Sequence, residues 1–124
     1  MSERSKEFFE KMQEFFPSTR EAYYESIKEY GKILETIVVE DIFMPPILKL
    51  LSEDTDSQLL ERIFAYIEEI ISSDDSYLIN VLSVTLLEIL GNDESILEKA
   101  KQYMGTKTKA LQIKADEDLG RVKN

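Results

Sequence analysis

Carboxylates and tyrosines are the residues of this sequence that could do chemistry. The chain contains 25 Asp and Glu and 6 Tyr, but no Cys and no His. Without those two residue types, the commonest general base, the commonest zinc ligand and the cysteine nucleophile are all missing. The chemistry that remains is that of carboxylates, which coordinate magnesium or act in pairs in glycoside hydrolysis.

One stretch, Asp54–Gln58, begins like a calcium-binding loop. It is followed by Leu59 where that loop needs glycine and by Ala65 where it needs glutamate, so it is not an EF-hand. Aspartate and serine are strong helix N-caps. We therefore interpret Asp54 and Asp56 as parts of a helix-capping turn.

The other carboxylates show no spacing that would bring several of them together. Asp74-Asp75, Glu88 and Asp93-Glu94 lie apart along the chain, and the four glycines are isolated, so no phosphate-binding loop exists. A chain of 124 residues also leaves little room for a substrate cleft. We predict no catalytic residue, no metal, no cofactor and no enzymatic activity, with a carboxylate-based metal enzyme as the least favoured alternative.

Apolar residues recur at helical spacing through the first half of the chain. A helix over residues 3–16 is predicted to stop at Pro17. Ser18 to Glu21 matches a capping box, which predicts a second helix that runs to about residue 38. Pro45-Pro46 is predicted to break the chain before a short third helix over residues 45–52.

The second half contains the most apolar helices. Residues 57–72 form the clearest amphipathic pattern, and residues 77–90 are apolar nearly all round, which predicts a central helix. Gly91 is expected to end that helix in the left-handed conformation, and Gly105 to end the next one similarly. Residues 106–124 have few apolar side chains.

These elements predict an all-α fold. With turns of two to six residues, successive helices tend to pack antiparallel. We expect a compact antiparallel bundle or a short HEAT-like α-solenoid of about five to six helices. Residues 1–105 would form the acidic helical domain, and residues 106–124 a weakly packed C-terminal tail or short helix.

Charge is distributed unevenly along the chain. Residues 1–104 contain 22 Asp and Glu against 10 Lys and Arg, whereas residues 105–124 contain 3 against 5, and the whole chain has a net charge of -10. Such an acidic body repels phosphate backbones, so we predict no nucleic-acid binding. It can attract a basic protein, although solvated acidic helix faces are also an ordinary means of staying soluble.

Location and membrane contact are predicted from the apolar runs. The amino terminus carries charges where a signal peptide needs apolar residues, which favours a cytoplasmic protein. The longest apolar run, residues 78–90, includes Asn80 and Glu88, while a membrane-spanning helix needs about 20 apolar residues. We expect no membrane crossing.

Tyrosines of the second helix are the best candidates for partner binding. Tyr23 and Tyr30 share one face and are expected in the core, while Tyr24 points elsewhere, beside Glu21 and Glu25. An exposed tyrosine among carboxylates would suit a basic protein partner. A loop over residues 40–46 is a second candidate, although Ile42 and Phe43 could instead plug the bundle. The candidate partner-binding residues are Glu21, Tyr24, Glu25, Glu40, Asp41, Glu68, Glu69, Asp74 and Asp75.

Three segments resemble a family of small acidic helical bacterial proteins: PSTREAYYESIKEYG (17–31), LSVTLLEILG (82–91) and EKAKQYMGTKT (98–108). Members of that family are uncharacterised and are often encoded beside secreted polymorphic toxins of Gram-positive bacteria. The resemblance covers residues 15–108 and implies an immunity-like role against a toxin that is often a basic nuclease. It supplies no active-site residue.

Two functions of different classes follow. The first is a protein-binding module, most concretely an immunity-type inhibitor of a cognate, possibly basic, bacterial toxin. The alternative is a structural or regulatory scaffold that self-associates through residues 78–90 or the tail. The oligomeric state does not follow from the sequence.

Overall fold

The computed structural model describes residues 2–121, and all of its regular elements are helical. The prediction of an all-α fold is confirmed, but these residues form seven helices rather than five to six. The helices are α1 (Glu3–Phe15), α2 (Arg20–Tyr30), α3 (residues 35–53), α4 (Ser57–Ile71), α5 (residues 76–90), α6 (Glu94–Lys101) and α7 (Thr106–Asp118).

Helix α1 begins at a serine cap and packs an aromatic face inward. Ser2 Oγ accepts a hydrogen bond from the backbone N–H of Ser5 at 3.0 Å, which satisfies one of the free donors of the first turn. Phe8, Phe9 and Met12 are buried on the opposite side from the charged residues. The amphipathic pattern therefore predicted this helix and its inner face correctly.

The junction between α1 and α2 is a 3₁₀ turn, Pro17–Thr19, and the predicted capping box does not form. Thr19 precedes α2 with helical backbone angles, and its hydroxyl donates to the carbonyl of Phe16 at 2.6 Å. Because proline suits the first position of a helical turn, the chain re-enters helix directly after Phe16. Ser18 lies inside this turn, so its hydroxyl is not at the N-cap position of α2.

Helix α2 ends much earlier than predicted, at Tyr30. Gly31 adopts a left-handed conformation with φ 71°, and its N–H closes the last turn on the carbonyl of Ile27 at 2.8 Å. Glycine reaches this conformation without the strain that a Cβ atom causes. The prediction of one helix to about residue 38 is wrong because a turn separates α2 from α3.

Helix α3 continues through the two prolines that were predicted to break it. It consists of α-helical Glu35–Val38, π-helical Val39–Phe43 and α-helical Met44–Glu53. In the π-helical part the N–H of Met44 bonds to the carbonyl of Val39, five residues back. Both prolines lie in the first turn of the α-helical part that follows. The changed hydrogen-bond register therefore lets the helix continue past the prolines.

Helices α4 and α5 both begin at aspartate caps. Asp56 accepts from the N–H of Leu59 at 3.0 Å, and Asp75 accepts from the N–H of Leu78 at 3.0 Å. The capping role assigned to Asp56 is confirmed. Helix α5 includes a π-helical stretch, Ser83–Leu87, inside which Thr85 is fully buried and donates its hydroxyl to the carbonyl of Val81 at 2.6 Å.

Neither Gly91 nor Gly105 ends a helix in the left-handed conformation. Gly91 has φ -72°, and Gly105 is extended with φ -75° and ψ 175°. Helix α6 begins at the cap Asp93, which accepts from Ser95 and Ile96, and it ends at Lys101. Gly105 instead precedes the first turn of α7.

Residues 106–118 form α7, which packs on α4 and α5. Its buried residues are Thr108, Gln112 and Ala115. Gln112 Nε2 donates to the carbonyl of Leu87 at 2.9 Å, and Arg121 donates to the carbonyl of Glu88 at 3.0 Å. The last residues of the predicted tail, 122–124, lie outside the described part of the chain.

One apolar core joins all seven helices. Its aromatic centre brings α1, α2 and α3 together, because Phe9 lies 5.9 Å from Tyr23 and 6.1 Å from Phe43, measured between ring centroids. The π-helical stretches of α3 and α5 contact each other across the core. None of the helices in the described residues has the length and apolar content to span a bilayer.

Candidate functional site

Helix α2 presents the candidate residues Glu21, Tyr24 and Glu25 to solvent. Tyr24 and Glu25 are three and four positions after Glu21, so each of them neighbours Glu21 on the helix surface. Tyr24 is 64% exposed, and both glutamates are exposed. The sequence requirement for this site, an exposed Tyr24 beside two carboxylates, is met. We call these three residues the tyrosine patch.

Tyr23 connects the tyrosine patch to the core. It is 8% exposed and stacks on Phe43 at a centroid distance of 6.4 Å. Burial raises the pKa of the Tyr23 hydroxyl, with the neighbouring Tyr24 and Glu10 adding to the shift. The ring of Tyr24 meets that of Tyr23 edge-on, with centroids 5.5 Å apart. The exposed ring of Tyr24 therefore contacts a buried neighbour.

Tyr30 is not a core residue, contrary to the prediction. It is 47% exposed, although it lies seven positions after the buried Tyr23. Only Tyr23 is buried on α2, and Ile27 is half-buried. Tyr30 is the last residue of α2, directly before the left-handed turn at Gly31.

The candidates Glu40 and Asp41 lie on the π-helical part of α3 rather than in a loop. Both are exposed, while Phe43 is fully buried and Ile42 is half-buried against the core. The interpretation that Phe43 plugs the bundle is confirmed. The two carboxylates therefore stand on a rigid helix whose other face is held by the core.

Glu68 on α4 is engaged by the start of α7. Its carboxylate accepts from the backbone N–H of Lys107 at 3.1 Å, and from the N–H and hydroxyl of Thr108 at 2.8 and 2.7 Å. Burial acts to raise the pKa of Glu68, but these hydrogen bonds and the charge of Lys107 outweigh it and lower the pKa. Glu68 is used to dock a helix, so its carboxylate is not free for a partner.

Glu69 belongs to an acidic groove between α1 and α4 that the sequence reasoning did not identify. The groove has a volume of about 360 Å³ and is lined by Glu7, Glu10, Lys11, Glu14, Tyr66 and Glu69. Burial, together with the charges of Glu7 and Glu69, raises the pKa of Tyr66 to about 12. The spacing of Glu7, Glu10 and Glu14 along one helix could have indicated this acidic surface.

Asp74 and Asp75 differ although they are adjacent. Asp74 is exposed, whereas Asp75 caps α5 and also accepts from Ser2 Oγ at 2.6 Å. The hydrogen bond from Ser2, followed by that from the N–H of Leu78, lowers the pKa of Asp75. Asp75 thus ties the start of α1 to the start of α5.

The structure brings three of the nine candidates together in the tyrosine patch and assigns helix-docking or capping contacts to Glu68 and Asp75. Across residues 2–121, no group of three or more carboxylates is arranged to hold a metal ion. The exposed aromatic ring and its two carboxylates form a surface that is both apolar and negatively charged.

Comparison with known proteins gives a family without an assigned activity. Residues 9–119 match the family model described as "Domain of unknown function (DUF7674)". No curated protein matches the chain. No solved structure matches it either.

Proposed function

We propose that this chain, which belongs to the DUF7674 family, is a protein-binding module that recognises a basic protein through the tyrosine patch. In its most concrete form the protein is an immunity-type inhibitor of a bacterial toxin. The observation that carries the proposal is the 64% exposure of Tyr24 between Glu21 and Glu25. Exposed tyrosines are enriched among residues that dominate binding energy at protein interfaces.

The packing of Tyr24 supports this role. A side chain that is already held in the free protein loses less conformational freedom when a partner binds. The edge-on contact with Tyr23 supplies such restraint, and Tyr23 is itself packed against Phe9 and Phe43. Tyr24 is thus a partly preorganised anchor with an exposed face.

The charge of the chain supports a basic partner. The net charge is -10, and complementary charge steers encounter and suppresses partners of the wrong sign. Glu21 and Glu25 place two of these carboxylates next to Tyr24, and Glu40 and Asp41 add an exposed acidic pair on α3. The resemblance of residues 15–108 to proteins encoded beside toxins favours a toxin as that partner.

The first experiment is affinity capture with tagged protein from its native host, at low and then high salt, with mass spectrometry of what elutes. One basic protein, released by salt, is the expected result. Its dissociation constant is then measured for wild type and for the Tyr24→Ala variant. A truncation at an interface anchor weakens binding by about 2 kcal/mol or more.

Matched controls use exposed residues of another helix. Ile113 is 57% exposed on α7 and Glu117 is exposed on the same helix, so Ile113→Ala and Glu117→Gln remove similar groups elsewhere. Equal weakening by Tyr24→Ala and by these controls would sink the assignment to α2. If capture recovers only the protein itself, the self-associating scaffold becomes the better hypothesis. The inhibitor role has its own test, rescue of growth when the captured partner is co-expressed with wild type but not with Tyr24→Ala.

A further inference from the structure

A second surface of opposite charge lies where α7 crosses the ends of α4 and α5. It is a shallow groove of about 350 Å³, which we call the lysine-flanked groove. Its floor contains Ile71 of α4, Ile79 of α5 and Leu111 of α7, all half-buried. The lining residues are Ile71, Ile79, Lys107, Ala110, Leu111 and Lys114.

The α7 side of the groove is one continuous stripe. Lys107, Ala110, Leu111 and Lys114 follow the spacing i, i+3, i+4 and i+7, which places them on one helix face with the apolar pair between the two lysines. Ala110 is exposed and its side chain is a single methyl group, so it leaves space above the floor. The buried Gln112 lies outside this stripe.

The two lysines give this groove a positive local charge, whereas the chain as a whole is negatively charged. Lys107 is exposed; Glu68 accepts a hydrogen bond from its backbone N–H and also interacts with its ammonium charge. The ammonium of Lys114 lies 3.4 Å from Asp118 in a pair whose side chains are 67% and 66% exposed. Exposed pairs of this kind are weak, so the Lys114 ammonium can exchange one carboxylate for another.

We propose that the lysine-flanked groove binds an acidic amphipathic helix of a partner protein. Apolar side chains on one face of that helix would enter between the lysines and cover Ile71, Ile79 and Leu111. Carboxylates beside that face would meet the ammonium groups of Lys107 and Lys114. Helices that lay an apolar stripe into a groove are a common mode of recognition, and flanking charge sets their specificity.

A second copy of this chain fits the groove less well. A symmetric contact would place the same patch on both copies, so Lys107 and Lys114 would face lysines. In a head-to-tail contact, α2 of one copy would lie in the groove of the next. Such contacts produce an open chain of copies unless the rotation between copies closes a ring.

An anionic membrane is also a poorer occupant. Such a surface is extended, so it would also lie close to other parts of the chain. Because the net charge of the chain is -10, those parts would be repelled by the anionic lipids. A single acidic helix covers only the groove. Carboxylates of the chain that lie farther from that helix than a Debye length of about 8 Å are screened from its charge.

The test uses three synthetic peptides of about 16 residues with the same leucines at i, i+3, i+4 and i+7. Their polar positions are Glu in the first peptide, Gln in the second and Lys in the third. Fluorescence anisotropy with the full chain measures each dissociation constant. We expect the Glu peptide to bind more tightly than the Gln peptide and to lose affinity as salt is raised, whereas any binding of the Lys peptide should not depend on Lys107 and Lys114.

Variants locate the binding. The double variant Lys107→Glu/Lys114→Glu should weaken binding of the Glu peptide by about tenfold or more, because two attractive contacts become repulsive. Lys109 is exposed on α7 but lies outside the stripe, so Lys109→Glu is the matched charge control and should have a much smaller effect. Ala110→Trp, at an exposed position, should block the groove without entering the core.

Several results would overturn the proposal. Equal affinity for the Glu and Gln peptides, no binding of the Glu peptide, or an unchanged affinity of the double variant would each do so. A dimer in sedimentation equilibrium that the double variant abolishes would assign the groove to a second copy. Binding only to phosphatidylserine vesicles would assign it to a membrane. Because Tyr24→Ala should leave peptide binding unchanged, this test and that of the tyrosine patch fail independently.

Discussion

Glu68 and Thr108, forty residues apart in sequence, form the contact that caps the last helix. The Glu68 carboxylate accepts from the backbone N–H of Thr108 at 2.8 Å and from its hydroxyl at 2.7 Å. Gly105, the residue before α7, has no side chain that could cap it. A carboxylate at the start of a helix satisfies free N–H groups and interacts favourably with the helix dipole. Helix α4 therefore supplies the cap that the local sequence of α7 lacks.

Glu68→Gln should destabilise the protein by about 1 kcal/mol, the usual size of a helix-cap contribution. The amide keeps the shape of the side chain but loses its charge and part of its capacity to accept hydrogen bonds. Urea unfolding followed by circular dichroism measures the difference. Glu69→Gln, at the exposed neighbouring position, is the control and should change the free energy of unfolding by less than about 0.5 kcal/mol.

The effect of Glu68→Gln should depend on pH. The pKa of Glu68 in the folded protein is lowered from its usual value of 4.5, chiefly by its hydrogen bonds acting against burial. A lowered pKa stabilises the fold above the unfolded value, and this contribution is lost as pH falls through the folded value. The stability difference between wild type and variant should thus be full above pH 4.5 and shrink below it. A difference that is the same at neutral and acidic pH would contradict the cap.

Gly105→Ala should disturb the same contact from the other side. A Cβ atom at position 105 would lie 2.6 Å from Cγ of Glu68, too close for two carbon atoms. Since the Glu68 side chain can move away, we expect loss of its cap rather than unfolding, at about 1 kcal/mol. In a double-mutant cycle, Gly105→Ala should add little to Glu68→Gln. Full additivity would show that Gly105 acts independently of Glu68.

Gln112→Glu should be the most destabilising of these changes. Gln112 Nε2 donates to the carbonyl of Leu87 at 2.9 Å and to Asp116 at 3.1 Å, and the side chain is 1% exposed. A carboxylate there would face two acceptors in a buried site, at a cost of about 3 kcal/mol. Thermal unfolding should show a loss that shrinks in acid, where the protonated carboxyl can donate again. Gln112→Met, which adds no charge, is the control.

Gly31→Ala should destabilise the turn after α2 by about 1 kcal/mol, because φ 71° strains a residue with a Cβ atom. Apart from its chain neighbours, no residue in the described part of the chain has an atom within 4 Å of the Cβ position, so the loss would come from the backbone and not from a clash. Gly31→Asn should be milder, since asparagine tolerates this conformation. Equal losses for both variants in urea unfolding would contradict this reason.

A local signal predicted the start of α4 correctly. Asp56 precedes that helix and accepts from an N–H group within three residues, and Asp75 and Asp93 make the same local contact at the starts of α5 and α6. The apolar spacing within α1 and α4 likewise predicted their buried faces. The HEAT-like arrangement stays a prediction.

Signals from proline and glycine misled the prediction of helix ends. Pro45-Pro46 were expected to break the chain, but the π-helical stretch before them keeps α3 continuous. Gly91 and Gly105 were expected in the left-handed conformation, and neither adopts it. Other helices pack closely on these residues: Cβ atoms at Gly91 and Gly105 would approach side chains of Asp116 and Glu68.

The sequence by itself determined the helical class, the acidic charge and the presence of Tyr24 between two carboxylates, because each depends on residue types and spacing within one helix. Tertiary structure decided that Tyr23 is buried and Tyr30 is not, and that Glu68 serves α7. It also decided the acidic groove and the lysine-flanked groove, whose walls come from different helices. Side chains far apart in sequence meet only when helices pack. The spacing of residues within one helix does not say which other helix it will contact.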